Sequence, residues 1–521
     1  MLNVGRIRAK LDFNHVTFIG KGLVVGLISG LVVSLFRLII EKSLLLWQFW
    51  YGKAHQQWQW LLLIAAILIV IAIINAYLIK REPHIMGSGI PEVEAQLATT
   101  LHLNWWSILW RKFVGGVLAI GSGLFLGREG PSIQLGSSIG QGFAQLTHEH
   151  ETNERVLLAA GAASGLSAAF NAPMAGTMFV LEEVYHNFSP LVWMSSLAGA
   201  LGANFISLNF FGLTPVLQIH YDTSFPLRLY WHLLLLGIFL GLLGILYQRI
   251  LLYMPRLYQK IPRLPRRWND IVPLMLVMVV GYFWPQTLGG GNGLILSLAK
   301  QQPAAIIVLG LFSLRFVFSM VSYGSGLPGG IFLPILTLGA LIGDLYGVLM
   351  VQAKLLPASL VMNLVIFAMA GYFAGIGKAP FTAILLITEM VGSLSHLMPL
   401  AVVSLTAYLV VDVLGGEPIY ESLSARMNLN QTLAQLTGRN DRLEIPVFEG
   451  TRFVGTEVRD IAWPKNTLLM SIRRGSKDLI PKGDTEIRAG DTLIVLTDHQ
   501  QRAQVKRALL DFSRESEQLR P

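Results

Sequence analysis

Gly127-Arg128-Glu129-Gly130-Pro131 interrupts a long apolar stretch that covers residues 108–126 and resumes at residues 133–139. A charged side chain at the centre of a membrane helix costs about 2.5–3.5 kcal/mol, so such charges usually face a cavity. Glycine permits a sharp turn and the close approach of a ligand, and proline suits the first turn of a helix. The segment therefore predicts a turn inside a membrane and a helix that begins beside Glu129.

The position of Glu129 suggests a chemical role. The free N–H groups and the dipole at a helix N-terminus favour negative charge. An ionised Glu129 would occupy an anion site there, and its protonation would vacate that site. This is the outline of a proton-sensitive anion gate. The alternative is a structural loop that contains an Arg128–Glu129 pair.

The composition is that of a polytopic membrane protein. Of 521 residues, 53% are hydrophobic and only 14% are charged, whereas soluble domains contain about 25% charged residues. The mean hydropathy is +0.55, and the 51 glycines suit close packing of helices in lipid. The sequence contains no cysteine, which excludes disulfides, thiolate catalysis and cysteine-ligated metals.

The net charge of +9 is spread over loops and the C-terminal part, which indicates membrane orientation rather than nucleic-acid binding. Arg6, Arg8 and Lys10 precede the first apolar run, and no cleavage site follows, so we expect a retained helix and a cytoplasmic N-terminus. The loop at 255–270 is basic and is placed in the cytoplasm. The loop at 214–228, poor in lysine and arginine, is placed outside.

The chain aligns with itself at an offset of about 204 residues. The matched positions are Gly87-Ser88-Gly89-Ile90 with Gly291-Asn292-Gly293-Leu294, Lys112 with Arg315, Gly121-Ser122-Gly123-Leu124 with Gly324-Ser325-Gly326-Leu327, Pro131 with Pro334, Ala172-Pro173 with Ala379-Pro380, and Glu182 with Glu389. The halves, about 15–215 and 225–427, start on opposite sides by their flanking charges. They therefore predict an inverted repeat with a site at the midplane.

Two further segments share the pattern of a glycine-rich approach and a helix-opening proline. In the repeat, Glu129 aligns with Phe332 of Gly330-Ile331-Phe332-Leu333-Pro334, and Gly87-Ser88-Gly89-Ile90-Pro91 has the same pattern. The backbone N–H groups at 331–332 should point toward the region of Glu129. The Ser88 hydroxyl could cap its own helix or donate to an anion.

These three segments resemble the anion-site motifs of the CLC family of chloride channels and chloride/proton antiporters, over about residues 15–427. The resemblance implies an all-α polytopic membrane protein with an inverted internal repeat, broken helices and one pore per subunit of a homodimer. It implies Ser88 as a side-chain ligand of chloride, Ile331 and Phe332 as backbone donors, and Glu129 as the external gate. The supporting motif positions are Gly87, Gly89, Pro91, Gly127, Arg128, Gly130, Pro131, Gly330 and Pro334.

Tyr420, Glu183 and Ser88 refine this assignment. Tyr420 follows the last apolar run and resembles the family's second hydroxyl donor. The repeat pairs Glu182 with Glu389 and leaves Glu183 opposite Met390. We therefore predict a structural role such as capping for the paired glutamates, and the resemblance implies internal proton transfer for Glu183. Family members with proline at the Ser88 position resemble nitrate carriers and those with methionine resemble fluoride exporters, so serine implies chloride.

The C-terminal segment, about 440–515, is predicted as a small cytoplasmic α+β domain. Strands are expected at 443–448, 468–472 and 492–497, with turn residues at 482–484 and 489–491 and a closing helix at 500–512. The segments 479–485 and 489–493 resemble the C-terminal subdomain of RCK regulatory domains, which implies dimerisation and a small-molecule ligand. Dimerisation without a ligand is the alternative.

We predict a chloride/proton antiporter in a lipid bilayer, placed in a bacterial inner membrane with both termini cytoplasmic. One alternative is a passive glutamate-gated chloride channel on the same fold. A membrane enzyme is disfavoured because the sequence shows no metal-ligand cluster or nucleophile–base set. No metal, cofactor or nucleic-acid partner is expected, with the chloride ion and the proton as substrates.

Overall fold

The chain forms two compact units in a computed structural model, with the division between Arg426 and Met427. The structure describes residues 13–217, 219, 225–260, 269–300, 303–434, 440–447, 451–465, 467–474, 477–498 and 502–514. The basic residues at 6–10, part of the basic loop at 255–270, and the predicted domain's last residue, 515, lie outside this described part.

The first unit is built of helices, as predicted. Their bounds are α1 Phe13–Gln56, α2 Gln59–Arg81, α3 Ile90–Leu97, α4 Trp105–Gly121, α5 Glu129–Leu146, α6 Glu151–Phe170, α7 Pro173–Phe179, α8 Pro190–Phe211, α9 Tyr230–Gln259, α10 Ile271–Phe283, α11 Asn292–Lys300, α12 Ala305–Gly324, α13 Phe332–Gln352, α14 Val361–Gly377, α15 Pro380–Val391, α16 Leu397–Val413 and α17 Ile419–Ala434, the last of which begins in the first unit and ends after the division. A π-helical turn, Val180–Val184, continues α7. The apolar stretches at 156–181 and 380–415 are each divided between two helices, because Pro173 opens α7 and Gly392 ends α15 in a left-handed conformation.

Seven helical segments of the described chain are long and apolar enough to cross a bilayer. Others are too short, including α3 with 8 residues and α11 with 9. Short or broken helices at membrane depth are tolerated where protein surrounds them or a cavity receives their ends. All of α14 is buried, so the unit has an inner layer that lipid does not reach.

The glycines allow neighbouring helices to touch backbone to backbone. A Cβ at Gly136 of α5 would overlap the carbonyl oxygen of Gly161 in α6, and a Cβ at Gly161 would overlap the carbonyl oxygen of Gly136. Small residues at such contacts are typical of helix packing in membranes. This contact holds α5, which begins at Glu129, firmly against α6.

The two repeats cap each other's helices. The Glu182 carboxylate accepts hydrogen bonds from the backbone N–H groups of Phe381 (3.1 Å) and Thr382 (2.7 Å) at the start of α15. The Glu389 carboxylate accepts the equivalent bonds at the start of α7, from Met174 (3.1 Å) and Ala175 (2.8 Å). The predicted capping role of this pair is confirmed, and the exchange shows a two-fold relation between the halves.

A second pair of equivalent residues stabilises the loops before α3 and α11. Lys112 and Arg315 are buried, at 0% and 1% exposure. Lys112 Nζ donates to the carbonyl of Gly87 at 2.8 Å, and Arg315 Nη1 donates to the carbonyl of Gly289 at 2.7 Å. Each cation therefore satisfies carbonyl groups of a turn that would otherwise be buried without a partner.

The second unit contains an antiparallel sheet. Its elements are β1 Asn440–Pro446, β2 Thr467–Arg474, β3 Lys477–Leu479, β4 Asp491–Asp498 and α18 Arg502–Arg514. The strand order is β1-β4-β2-β3, and the apolar side chains of Leu443, Ile472, Val495 and Leu509 contribute to one core. The three predicted strands and the closing helix are confirmed over the described residues. Phe448 and Gln500, at the ends of two predicted elements, lie outside them.

Candidate functional site

Two predicted motifs are joined by a direct backbone contact. The N–H of Gly127 donates to the carbonyl of Gly330 at 2.7 Å, and the N–H of Gly330 donates to the carbonyl of Gly127 at 2.6 Å. The chain continues from them into α5, which begins at Glu129, and α13, which begins at Phe332. The N-termini of both helices are thus held side by side in the interior.

Glu129 points its carboxylate into this junction. The side chain is fully buried, and the carboxylate faces the amide N–H of Leu333 in the first turn of α13. Its Oε1 lies 3.9 Å from Nε of Arg128. Within the described part of the chain, neither carboxylate oxygen has a hydrogen bond of ordinary geometry. The predicted position of Glu129 at a helix N-terminus is confirmed. Its carboxylate also reaches the N-terminus of a second helix, α13.

Gly127 is required for this arrangement. A Cβ at that position would overlap Oε2 of Glu129 and would lie 3.2 Å from the amide nitrogen of Leu333. A larger residue would therefore displace the carboxylate or separate the two strands of the junction. The glycine provides the space that the Glu129 side chain uses.

The third motif reaches the same place. α3 begins at Ile90 after Gly89, which has a left-handed φ of 84°. The Ser88 hydroxyl oxygen accepts the N–H of Ile90 at 3.3 Å. Gly89, not Ser88, occupies the N-cap of α3, and no side chain of the described residues caps that helix, so Ser88 contacts the helix start without being its N-cap. A Cβ at Gly130 would lie 2.7 Å from Cβ of Ser88, which shows that the segment before α3 contacts the first turn of α5.

Phe332 places its amide group at the start of α13 and its ring in an aromatic cluster. The first N–H groups of a helix have no partner inside the helix, which leaves those near Ile331 and Phe332 available. The Phe332 ring contacts Phe373 and Phe179 at centroid distances of 4.2 and 5.6 Å. Since these rings are buried, water is largely excluded beside the amide groups.

Tyr420 approaches from α17. It is 1% exposed, and its hydroxyl has no hydrogen-bond partner among the described residues. Its ring lies edge-on to Phe179 with a centroid distance of 6.1 Å, and Phe179 also contacts Phe332. Tyr420 interacts electrostatically with Glu129 and Glu183. Tyr420 therefore lies beside the aromatic cluster at the start of α13, and its role as a hydroxyl donor stays a prediction from the family resemblance.

Glu183 lies in the π-helical turn that follows α7 and is 3% exposed. Its Oε1 has no hydrogen-bond partner in the described part of the chain. It interacts electrostatically with Glu94 and Glu421. These carboxylates form a small acidic group next to Tyr420, and a proton shared among them would lower their mutual repulsion.

Sequence reasoning missed three residues that lie beside Ser88 and Glu183. Tyr323, from α12, lies beside Ser88, while Glu94 and Glu421 lie beside Glu183. Glu94 follows the Ser88 motif closely and Glu421 is adjacent to Tyr420, so proximity to those motifs was an available signal. Tyr323 had no comparable signal, because its neighbours depend on how α12 packs.

The comparisons with known proteins agree with this geometry. Residues 71–412 match the family model described as voltage gated chloride channel, and residues 442–510 match the TrkA-C domain. The chain is 35% identical over 433 residues to the H(+)/Cl(-) exchange transporter ClcA of Vibrio campbellii, covering 79% of this chain and 90% of the relative. It is 34% identical over 403 residues to the ClcA of Cronobacter sakazakii, covering 74% and 85%.

Solved structures show the same fold. A slow cyanobacterial Cl-/H+ antiporter is 30% identical with a TM-score of 0.76, covering 81% of this chain and all of that one. A CLC-type fluoride/proton antiporter at 22% identity has a TM-score of 0.62, covering 78% and 97%, and supports the fold alone. The chain therefore belongs to the voltage-gated chloride channel (CLC) family and carries a TrkA-C domain, which resembles RCK domains, after its membrane part.

Proposed function

We propose that the chain exchanges chloride for protons across a membrane, with Glu129 as the gate. The observation that carries this proposal is the Glu129 carboxylate, which is fully buried at the junction of helix N-termini and makes no ordinary hydrogen bond among the described residues. While ionised, it competes with an anion for the same N–H groups. Protonation removes its charge, so the neutral side chain can leave and the anion can pass.

The proposed chloride ligands are Ser88, Ile331, Phe332 and Tyr420. Ser88 and Tyr420 would donate from hydroxyl groups, and the other two from backbone N–H groups. A buried polar group without a partner costs about 1–3 kcal/mol, and the Tyr420 hydroxyl is in that condition among the described residues. A chloride ion bound beside α13 would satisfy it. Serine at position 88 supports chloride as the preferred anion.

Glu183 is the proposed internal proton acceptor. Its carboxylate is buried, and Glu94 and Glu421 lie within electrostatic range. The repeat places Met390 at the equivalent position, and that side chain is also buried. The fold therefore does not require a carboxylate there, which supports a functional role for Glu183. A proton taken up at Glu183 would be passed to Glu129.

Exchange is favoured over passive conduction. The bacterial relatives are named H(+)/Cl(-) exchange transporters, and the solved structure at 30% identity is a Cl-/H+ antiporter. We propose that the protein acts as a transporter and not as an enzyme, and that it uses no metal or cofactor. Chloride and the proton are its substrates.

We further propose a homodimer with one pore per subunit in a bacterial inner membrane, with both termini in the cytoplasm. All proposed site residues belong to one chain and one compact unit, which supports a complete pore in each subunit. The match to a TrkA-C domain supports a regulatory role for the second unit through dimerisation or a small-molecule ligand. Removal of residues 440–521 should leave flux intact while its regulation or the dimer's stability changes.

The function is tested in liposomes that contain the purified protein. An outward chloride gradient should drive proton uptake, with chloride and proton movement measured in the same vesicles. Glu129→Ala should carry chloride without proton uptake and with little dependence on pH. Chloride flux without proton movement in the wild type would favour the passive channel, and the absence of any flux would contradict both transport functions.

A further inference from the structure

The guanidinium group of Arg128 lies between two carboxylates, that of Glu41 and that of the gate Glu129. Arg128 Nη1 donates to Oε1 of Glu41 at 2.6 Å, while Arg128 Nε lies 3.9 Å from Oε1 of Glu129. The shorter distance is that of a charge-assisted hydrogen bond, and the longer one exceeds hydrogen-bond range. Arg128 is therefore bound to Glu41 and only weakly associated with the gate.

Glu41 is held in place from its own helix. Arg37, one turn earlier in α1, donates from Nε to the same Oε1 of Glu41 at 3.1 Å. Arg37 also donates to the side chain of Asn171 at 3.3 Å and stacks on Phe211 with its guanidinium carbon 3.7 Å from the ring centroid. Arg37 thus has contacts on several sides, which fixes the direction in which Glu41 reaches toward Arg128.

The burial of these groups makes their charges effective. The side chains of Arg37 and Arg128 are each 8% exposed, Glu129 is not exposed, and Glu41 is 39% exposed. Buried charges are screened weakly by water and salt. The Nε of Arg128 has no hydrogen-bond partner in the described part of the chain, so this donor remains available on the side that faces Glu129.

A cavity gives solvent access to this arrangement. It has a volume of about 290 Å³ and is lined by Glu41 and Arg128, by residues 290–293 before and at the start of α11, and by Leu333. A water molecule occupies about 30 Å³ in the liquid, so several waters fit. Leu333 is the residue whose amide faces Glu129, and the cavity therefore ends next to the gate.

We propose that Glu41 is a positioning residue that holds Arg128 away from Glu129 and thereby sets the proton sensitivity of the gate. This inference rests on the proposed gating role of Glu129. The charged or titratable groups around Glu129 are Arg128 beside it in the chain, Arg37 and Glu41 on α1, and Tyr420 on α17, together with the amide of Leu333 on α13.

The charge balance predicts the direction of the effect. If Glu41 loses its charge, Arg128 loses its ion-pair partner. The carboxylate of Glu129 is then available to form an ion pair with Arg128. A direct ion pair would favour the ionised gate, so a lower pH would be needed to protonate and open it. An opposite charge at close range commonly shifts such a titration by about 1–3 pH units.

The test compares Glu41→Gln with Glu41→Asp in liposomes, with chloride flux measured across a range of pH. The Gln variant should move the midpoint of flux against pH downward by about one unit or more. The Asp variant keeps the charge and should return the midpoint toward the wild-type value. A role of Glu41 in folding alone would reduce flux equally at every pH, and an unchanged midpoint in Glu41→Gln would overturn the proposal.

The same substitution made in the Glu129→Ala protein distinguishes a failure of this inference from a failure of the proposed function. Glu41→Gln combined with Glu129→Ala should show no pH shift relative to Glu129→Ala alone, because the titrating gate is absent. If Glu129→Ala keeps the wild-type pH dependence, the gating role fails. If Glu129→Ala loses that dependence and Glu41→Gln still leaves the midpoint unchanged, only the role of Glu41 fails.

Arg37→Gln provides an independent test should Glu41→Gln not fold. The substitution removes a cation near Glu129. Glu41 then loses its ion pair with Arg37 and keeps its ion pair with Arg128. The midpoint should therefore move to higher pH, the opposite direction from Glu41→Gln. A downward shift or no shift in a correctly assembled Arg37→Gln protein would contradict the proposed charge balance.

Discussion

Gly127 and Gly330 occupy equivalent positions in the two repeats and hydrogen bond to each other twice, with N···O distances of 2.7 and 2.6 Å. The contact therefore lies at the pseudo-two-fold axis that relates the two halves. α5 and α13 start directly after it, at Glu129 and Phe332. One backbone contact thus determines the separation between the proposed gate and the proposed backbone donors to chloride.

Gly127→Ala should weaken the coupling of protons to chloride. The added Cβ would overlap the Glu129 carboxylate, which would be pushed away from the N–H groups that it contacts. We expect fewer protons moved per chloride in liposomes, with chloride flux retained. Gly52→Ala is the matched control, because a Cβ at Gly52 would meet nothing within 4 Å. Unchanged stoichiometry in Gly127→Ala would contradict the tight fit of the carboxylate.

Substitution of Ser88 should change anion preference. Loss of a hydrogen bond to a charged group costs about 1.5–3 kcal/mol, which is about a tenfold or larger loss of affinity. Ser88→Ala and Ser88→Pro both remove the hydroxyl, and both should weaken the preference for chloride over nitrate in competition flux. Ser313→Ala, which alters an exposed hydroxyl bonded within its own helix, should keep the wild-type ranking. The same ranking in the Ser88 variants would remove Ser88 from the chloride site.

The exchanged caps should contribute to the stability of the membrane unit. Loss of a helix cap costs about 0.5–2 kcal/mol. Glu182 also accepts the Thr382 hydroxyl at 2.7 Å, so Glu182→Ala should be more destabilising than Glu389→Ala. Thermal unfolding in detergent would measure both, with the exposed Glu151→Ala as control. Equal stability of Glu389→Ala and the control would mean that the cap on α7 is energetically unimportant.

The second unit should lose stability in acid through Asp491. Burial alone would raise the pKa of Asp491, but the Arg474 guanidinium donates to both carboxylate oxygens at 2.8 and 2.7 Å and the Arg488 amide donates at 2.9 Å. Together these bonds hold its pKa below the usual value. Its stabilising contribution is therefore complete above the unfolded pKa of about 3.9 and is lost as pH falls through the lower folded value.

Asp491→Asn tests this dependence in the intact protein. Hydrogen exchange of β4 amides, corrected for the intrinsic effect of pH, should be faster than in the wild type at neutral pH. The difference should disappear in acid, where wild-type Asp491 is also neutral. A difference that persists unchanged below the folded pKa would show that the charge of Asp491 is not the cause.

Much of the site was predictable because most of its residues lie at or beside helix starts. Helix starts after Gly-rich segments have a local sequence signal, and the repeat showed that Glu129 and Phe332 are equivalent. The partners of long side chains have no such signal. The bond from Arg128 to Glu41 joins residues that are distant in sequence, and it depends on how α1 packs against α5. The π-helical turn that holds Glu183 likewise follows from tertiary packing rather than from local propensity.

The central claim is that protons reach the chloride gate Glu129 through a second carboxylate, Glu183, and Glu183→Gln tests it most directly. The amide keeps the size and hydrogen bonding of the carboxyl group but cannot ionise. In vesicles that contain the variant, chloride efflux should continue while chloride-driven proton uptake, measured at the same time, disappears. Proton uptake at the wild-type ratio to chloride in Glu183→Gln would contradict the proposed exchange mechanism.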